Sequence, residues 1–167
     1  NDIAGSSISL TANGNRIAIG ASSNDGVNGS SSGHCRIYEW NGSSWNQLGS
    51  DIDGEAANDF SGSVSINATG TIVAIGASGN DAGGTNTGQV RVYEWNGSSW
   101  IQKGTDIDSD NTNASFGYTI SLDTSGSTFI AGGYSFVNGA LGFIKVFSWD
   151  GTDWVQKGEV SPEQVTA

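Results

Sequence analysis

The feature that most restricts the fold of this chain is a segment that occurs three times. The copies are SLTANGNRIAIGAS at 9–22, SINATGTIVAIGAS at 65–78 and SLDTSGSTFIAGGY at 121–134. Their central glycines, Gly14, Gly70 and Gly126, mark a period of about 55 residues that covers nearly the whole chain. A period of this length is typical of propellers and other arrays, in which each unit packs only against its neighbours.

A second repeated phrase contains all six tryptophans of the chain. EWNGSSW at 39–45 recurs letter for letter at 94–100, and SWDGTDW at 148–154 is a diverged third copy. A catalytic site is normally built once, so a phrase present three times indicates architecture or a surface that works by repetition. We expect the two rings of each copy to stack across a hairpin or against the next unit, which contributes about 0.5–1.5 kcal/mol beyond area burial.

Each unit has the pattern of four short antiparallel strands. The first strand is predicted near 7–10, 64–66 and 119–122, and a turn that contains glycine leads into the second, because glycine accepts positive φ. The second strand, such as TIVAIGA, is apolar on both faces and is expected to be deeply buried. The third strand ends at the first tryptophan of the phrase and the fourth begins at the second tryptophan, in segments rich in β-branched and aromatic residues.

Four antiparallel strands repeated at this period indicate β-propeller blades. We therefore predict an all-β fold of three four-stranded antiparallel blades at 1–52, 53–107 and 108–160, with a C-terminal tail at 161–167, in one structural domain. Propellers typically have four to eight blades, so three units form an open arc or part of a larger or oligomeric β-propeller. Because bare strand edges invite pairing, we expect both terminal blades to contact another protein chain or another copy of this one.

The units resemble FG-GAP repeats, the blades of integrin-α-type β-propellers. The FG element matches residues 116–117 and, more loosely, 60–62. The GAP element matches 20–22 and 76–78, with serine in place of proline, and more weakly 132–134. The resemblance implies a propeller that works in adhesion, because relatives of known role are mostly of that type.

Charge and composition exclude several classes of partner. The chain has 17 acidic against 6 basic residues, a net charge of −11, without a cluster of Lys or Arg, which disfavours nucleic acid and anionic membranes. Its apolar runs are far too short to span a bilayer. Strong acidity with many Ser, Asn and Thr favours an extracellular setting, or a cell or virion surface. Since the chain starts at Asn1 without a signal-peptide pattern, we expect it to be processed or part of a longer protein.

No set of residues predicts a catalytic site. His34 and Cys35 are the one pair that resembles a Cys/His dyad, but adjacent strand residues point to opposite faces. Cys35 aligns with Val90 and Ile144, so we interpret it as a small core residue. Because the chain has a single histidine, no Ser-His-Asp set is readable and a His-based zinc site is effectively excluded. We therefore expect a non-enzymatic protein with no firm cofactor.

Two acidic groups at the junctions between units are candidate calcium ligands. Their members are Asp51, Asp53 and Glu55 in the first group, and Asp106, Asp108 and Asp110 in the second. Carboxylates at alternate positions can offer several hard oxygens to Ca²⁺, whereas the alternative is a solvated acidic loop. Calcium-binding FG-GAP blades carry their aspartates between the first two strands. In those loops this chain has only Asp123, so the calcium residues of the family do not carry over.

The tryptophans also admit a functional interpretation, as platforms for sugar rings in a lectin. The candidate residues are Trp40, Trp45, Trp95, Trp100, Trp149 and Trp154. The structural alternative is that these flat side chains cover the seams between blades. Solvent exposure of the rings discriminates between the two.

Asn-X-Ser/Thr sequons are candidate N-glycosylation sites in a secreted eukaryotic protein. They occur at Asn28, Asn41, Asn67, Asn96 and Asn113. In a chain so rich in Asn and Ser, several sequons arise by chance, and two of them also belong to predicted turns.

These observations favour a non-enzymatic extracellular β-propeller repeat module for adhesion or for assembly of a surface structure. The first alternative is a carbohydrate-binding lectin that uses the repeated tryptophans. A weaker alternative is a propeller-fold hydrolase, against which stands the lack of a convergent acid, base and nucleophile. The expected partners are other protein chains or copies of this one, with glycans in the lectin case, and neither nucleic acid nor membrane insertion is expected.

Overall fold

The fold is given by a computed structural model that describes residues 2–135 and 141–160. These residues form fourteen β-strands and no helix. The described part of the chain therefore contains no helix that could cross a membrane. The predicted C-terminal tail at 161–167 lies outside the described residues. The prediction of an all-β fold is confirmed.

The strands fall into three sheets, which we call blades 1, 2 and 3. Blade 1 contains β1 (Ser7–Leu10), β2 (Arg16–Ala21), β3 (His34–Trp40), β4 (Trp45–Gln47) and β5 (Ile52–Asp53). Blade 2 contains β6 (Ser61–Ile66), β7 (Ile72–Ala77), β8 (Gln89–Trp95), β9 (Trp100–Gln102) and β10 (Ile107–Asp108). Blade 3 contains β11 (Thr119–Leu122), β12 (Thr128–Ser135), β13 (Leu141–Trp149) and β14 (Trp154–Val160).

Within each blade the strands pair antiparallel in chain order. In blades 1 and 2 the fourth strand is interrupted, and its second piece, β5 or β10, pairs with the start of the third strand. In blade 3 the fourth strand is continuous and passes a bulge opposite Val146 and Phe147. Three antiparallel four-stranded blades in an open arc are the predicted fold, and this prediction is confirmed.

Glycine at positive φ forms the hairpin turns, as the sequence predicted. In blade 2 the inner turn has Gly70 at φ +74° and the outer turn has Gly97 at φ +101°. The outer turn is completed by Asn96, whose Oδ1 accepts N–H bonds from Ser98 and Ser99 at 2.9 Å. The Asn-Gly of the repeated phrase therefore has a local structural role in which the side chain mimics a backbone turn.

The core consists of two apolar clusters, one in each seam between adjacent blades. The first contains Ala18, Cys35, Ile37 and Ile52 from blade 1 and Val64, Ile66, Val73, Ile75 and Tyr93 from blade 2. The second contains Ile72, Ala74, Val90, Val92 and Ile107 from blade 2, with Phe116, Phe129, Ala131, Phe147 and Trp154 from blade 3 and the loop before it. Blade 2 thus buries both of its faces, one against each neighbour.

The second strands differ in burial, which corrects one expectation. Strand β7 is buried at every position, as predicted. In β2, Ala18 is buried against blade 2, whereas Ile17 and Ile19 on the opposite face are half-exposed. Blade 1 has no neighbour on that side within the described residues. An apolar strand in this array is buried on both faces only when a blade lies on each side.

The inner edges of adjacent blades approach each other at glycine. A Cβ on Gly20 would overlap the carbonyl of Gly62, and a Cβ on Gly76 would overlap that of Gly117. Any larger residue would force the blades apart at these points. The glycine of the repeated IGA segment is therefore required by the packing of one blade on the next.

Candidate interaction site

Every blade has two different apolar faces, which we name by their neighbours. The trailing face points to the following blade, and the leading face points to the preceding blade. In the seam between blades 2 and 3, blade 2 contributes Val90 and Val92 from its trailing face. Blade 3 contributes Phe129, Phe147 and Trp154 from its leading face. Because the two faces carry different side chains, the array has a direction.

The second tryptophan of the repeated phrase joins its blade to the preceding one. The indole Nε1–H of Trp100 in blade 2 donates to the carbonyl of Leu48 in blade 1 at 2.9 Å. The indole of Trp154 in blade 3 donates to the carbonyl of Lys103 in blade 2 at 2.8 Å. Equivalent residues thus make the same bond in both seams, and each bond contributes about 0.5–1.5 kcal/mol.

A glycine next to each acceptor forms the seat of the tryptophan pair. A Cβ on Gly49 would lie 2.9 Å from the ring of Trp95 and 3.0 Å from that of Trp100. Gly104 meets the rings of Trp149 and Trp154 in the same way. The sequence signal for this seat is the glycine that recurs a few residues after each tryptophan phrase, and sequence reasoning missed its role.

The two tryptophans of each phrase stack across the outer hairpin, as predicted. Their ring centroids lie 5.6, 5.4 and 5.5 Å apart in blades 1, 2 and 3, with interplanar angles of 53°, 51° and 61°. In blade 3 the pair continues into the core, because Trp154 also packs edge-on against Phe129 at 5.0 Å. The same pair therefore serves as part of the hairpin and as part of the seam.

Backbone and serine groups join the inner edges of the blades. The N–H groups of Val64 and Ile66 in β6 donate to the hydroxyls of Ser7 and Ser9 in β1, both at 3.0 Å. In the next seam, Leu122 N–H donates to the Ser65 hydroxyl at 2.9 Å. The alternating serines of the first strand therefore act as acceptors for the following blade.

The inner turns form a relay of backbone hydrogen bonds with one direction. Ala12 N–H in blade 1 donates to the carbonyl of Ala68 in blade 2, and Ala68 N–H donates to the carbonyl of Thr124 in blade 3, both at 3.2 Å. Each turn thus donates forward and accepts from behind.

The leading face of blade 1 is uncovered. Ile8 and Leu10 of β1 are 73% and 59% exposed, whereas the equivalent Val64 and Ile66 of blade 2 are buried. Trp45 is 41% exposed, whereas Trp154 is 8% exposed. Burial of one such side chain stabilises by about 1.5–3 kcal/mol, so this face retains a considerable drive to associate.

The trailing face of blade 3 is uncovered as well. It presents Ile130 of β12, Ile144 and Val146 of β13, and Val160 of β14, all exposed or half-exposed. Their counterparts on blade 2 are the buried Ala74, Val90, Val92 and Ile107. Both ends of the arc therefore carry the side chains of a seam without the partner blade.

The exposure of the tryptophans bears on the lectin hypothesis. Trp40 and Trp45 are the exposed pair, and the other four rings are half-buried or buried at the seams. A sugar ring needs an open aromatic face, so a platform that uses these residues is available in blade 1. Neighbouring backbone already covers the rings in blades 2 and 3.

The first acidic group contains an ion pair and one unexpected neighbour. Arg36 Nε and Nη2 donate to the two carboxylate oxygens of Asp51 at 2.9 and 2.7 Å, and this guanidinium lowers the pKa of Asp51. His34, Asp51 and Asp53 place ligand atoms within 4.8 Å of one another. Sequence reasoning missed His34 here, because its pairing with Asp53 depends on the interrupted outer strand. A cation at this point would compete with the bound guanidinium.

The remaining acidic candidates form bonds to protein groups. Glu55 accepts a bond from Gln89 across the seam at 3.2 Å, and Asp106 accepts one from Gln102 at 2.7 Å. Asp110 pairs with Lys145 of blade 3 at 3.4 Å. Asp108 lies exposed at the end of β10. Within the described residues, the second group does not converge on one point as metal ligands do.

Cys35 lies in the core, as the sequence predicted. It is fully buried in the first seam beside Ile37. Burial raises the pKa of its thiol to about 12, so the thiolate form is negligible near neutral pH. His34 follows the opposite face of β3, and the two side chains do not form a dyad.

The candidate glycosylation sites differ in accessibility. Asn67 is buried, where its Oδ1 accepts the N–H of Ile72 at 3.0 Å and its Nδ2 donates to the carbonyl of Ser125 at 3.3 Å. A glycan on this nitrogen would break the contact with blade 3. The other four are exposed or half-buried: Asn28, Asn41, Asn96 and Asn113.

The innermost strands line an open groove of about 610 Å³. Hydroxyl groups and glycine backbone form most of its wall, together with the rings of Phe60 and Tyr118. Its described lining residues include no carboxylate and no basic side chain. The groove can therefore offer hydrogen bonds and ring contacts to a ligand, but no acid–base pair.

Solved structures with this architecture include the β-propeller domain of the trilobed protease from Pyrococcus furiosus, with a TM-score of 0.54 and 12% identity over 93% of this chain and 42% of that one. A hypothetical selenium-binding protein from Sulfolobus tokodaii matches with a TM-score of 0.62 and 8% identity over 88% of this chain and 38% of that one. A 6-phosphogluconolactonase-like protein from Bacteroides uniformis matches with a TM-score of 0.59 and 14% identity, over 92% and 39%.

At these identities the likeness shows the fold alone. The chain spans about two fifths of the length of these structures, which supports a β-propeller module. No family model and no curated protein matches the chain. The FG-GAP repeat type therefore stays a prediction.

Proposed function

We propose that this chain is a non-enzymatic β-propeller module that acts by association, in adhesion or in assembly of an extracellular, cell-surface or virion-surface structure. The observation that carries the proposal is that both end faces of the arc keep the apolar side chains that the inner seams bury. Contiguous exposed apolar patches mark interaction sites on soluble proteins. The resemblance to FG-GAP repeats supports adhesion, and the net charge of −11 supports a surface setting.

The roles of the potentially reactive groups support a non-enzymatic protein. The Cys35 thiol is held protonated in the core, and Asp51 is engaged by Arg36. Asp59 is buried and accepts backbone N–H bonds from Glu55 and Ala56 at 3.2 and 2.9 Å, which fixes a loop. Each of these groups already has a structural contact.

Binding of carbohydrate is the second candidate, and the exposed pair Trp40 and Trp45 favours it. Its test is tryptophan fluorescence during titration with mono- and oligosaccharides. A lectin would show saturable quenching that Trp40→Ala abolishes and that Ile101→Ser, which changes an exposed residue of blade 2, leaves intact. Saturable quenching that survives Trp40→Ala would exclude this pair as the platform.

The association proposal is tested by sedimentation velocity of the chain over a range of concentrations. We expect species larger than the 17.1 kDa of one chain, and we expect Ile8→Ser with Leu10→Ser to shift the distribution to a single chain. The matched control is Ile101→Ser, because Ile101 is equally apolar and 52% exposed but lies outside the end faces. A wild-type chain that stays monomeric at tens of micromolar would refute the proposal.

A further inference from the structure

The leading face of blade 1 repeats, position by position, faces that are buried elsewhere in the chain. Ile17 and Ile19 of β2 occupy the positions of Val73 and Ile75, which lie in the first seam cluster. Tyr38 occupies the position of Tyr93, a member of the same cluster. The surface that fits this face is therefore known from the chain itself: it is a trailing face.

One trailing face of the chain is unoccupied, and it lies on blade 3. Its seat for a tryptophan pair is open, because a Cβ on Gly158 would meet nothing within 4 Å. The equivalent Gly49 and Gly104 are each covered by the rings of the following blade. The end that lacks a preceding blade and the end that lacks a following blade are thus complementary.

We infer that the partner of this module is a second copy of the same chain, bound with the leading face of its blade 1 on the trailing face of blade 3. This inference rests on the proposed function, and it names the partner and the orientation. The contact is heterologous, because two different surfaces meet in each seam. It extends an interface that the chain already contains twice.

The first polar contact of this seam is a tryptophan bond. Within the described residues the Trp45 indole N–H has no acceptor. Repetition of the inner seams directs it to the carbonyl of Lys157 in the second copy, with the rings over Gly158. The local backbone differs there, since β14 runs on through its bulge at Lys157, whereas the fourth strands of blades 1 and 2 are interrupted at glycine.

Two further bonds follow from the same repetition. Ser121 is exposed and occupies the position of Ser65, which accepts an N–H bond from the following blade, so its hydroxyl meets the N–H of Leu10 of the second copy. Thr124 N–H continues the relay of the inner turns and donates to the carbonyl of Ala12 of the second copy. These bonds align the two inner edges.

Closure follows from the number of blades. Two copies supply six blades, and six is the one multiple of three in the usual propeller range of four to eight. With two identical seams between the copies, the assembly is a closed ring of two chains. A heterologous contact that did not close would instead grow into a filament.

The test uses two chains that are blocked at opposite ends. The leading-blocked chain carries Ile8→Asp and Leu10→Asp, and the trailing-blocked chain carries Ser121→Asp and Ile130→Asp. All four positions are exposed in the single chain, so each variant should fold, as checked by near-ultraviolet circular dichroism and thermal melting. Ile101→Asp, which lies on neither face, is the matched control.

Molar mass is then measured by light scattering for each chain and for the mixture. The wild type and Ile101→Asp should have twice the mass of one chain, and each blocked chain alone should have the mass of one. An equimolar mixture should regain a two-chain complex through its one intact seam. That complex should dissociate at a chain concentration at least tenfold higher than the ring, because it lacks the second seam.

The outcomes separate the two proposals. A trailing-blocked chain that still dimerises would overturn the head-to-tail inference and leave association through the end faces standing. A wild type whose mass grows without limit with concentration would overturn the closed ring. A wild type that stays a single chain would overturn the inference together with the proposed function.

Discussion

Blades 1 and 2 carry almost the same residues and differ in what covers them. Arg36 and Arg91 occupy equivalent positions, yet the side chain of Arg36 is 43% exposed and that of Arg91 is 7% exposed. Arg36 pairs with Asp51 of its own blade. Arg91 donates instead to the carbonyl of Asp53 in the preceding blade at 2.8 Å. In this array a residue acquires its role from the neighbouring blade as much as from its own sequence.

The largest expected difference between the two blades concerns an isoleucine in the second strand. Ile75→Ala should lower the free energy of unfolding by about 2–5 kcal/mol, because it leaves a cavity in the first seam. Ile19→Ala, at the equivalent position of blade 1, should cost less than about 2 kcal/mol, because Ile19 is half-exposed. Urea denaturation of both variants at a low chain concentration measures this difference.

Equal destabilisation by both variants would contradict the comparison. A repeat of the measurement at a high chain concentration sharpens it. If a second copy covers blade 1, the cost of Ile19→Ala should rise towards that of Ile75→Ala.

The next difference concerns the glycine seat. Gly49→Ala should destabilise by about 1–3 kcal/mol, since alanine at a φ of +80° is strained and its Cβ would crowd the rings of Trp95 and Trp100. Gly42→Ala is the matched control. Gly42 also has positive φ, at +99°, but a Cβ there would meet nothing within 4 Å. Thermal melting should therefore show a larger loss for Gly49→Ala, and equal losses would remove the seat from the account.

A smaller difference concerns the indole bond. Trp100→Phe should cost about 0.5–1.5 kcal/mol more than Trp45→Phe, because only Trp100 donates to a carbonyl within the chain. The measurement is the urea midpoint of each variant at a low chain concentration. A larger loss for Trp45→Phe under these conditions would show that blade 1 has a partner for its indole inside the chain.

The smallest difference is a dependence on pH. Arg36 lowers the pKa of Asp51 below its usual 3.8, so the pair stabilises the fold fully above that value, and its contribution is lost as the pH falls through the lower folded pKa. Asp51→Asn should therefore flatten the acid limb of the stability curve below about pH 4. Asp106→Asn in blade 2 is the control. An acid limb that Asp51→Asn leaves unchanged would remove this pair from the comparison.

The repeats made most of the fold predictable from the sequence. The period of Gly14, Gly70 and Gly126 predicted the number of blades, and the β-branched and aromatic segments predicted their strands, because local propensity and the repeat agree. The stacking of Trp95 on Trp100 also follows from their places on either side of a tight turn.

The functional surfaces were less predictable, for a physical reason. Identical EWNGSSW phrases do not reveal that the pair in blade 2 lies over Gly49 whereas the pair in blade 1 is exposed, because that difference depends on which blades are adjacent. The contact of His34 with Asp53 depends on the interrupted outer strand, which the sequence pattern did not indicate.

The glycine seat and the tryptophan pair have a consequence for how such a protein can evolve. Each unit carries both halves of the joint, with the rings on its leading side and the seat on its trailing side. A gene duplication that copies one unit therefore adds a blade whose two surfaces already match its neighbours, without compensating mutations. The size of the ring can then change by unequal crossing-over between copies, and later divergence, as in SWDGTDW, needs to preserve only the two rings and the turn glycine.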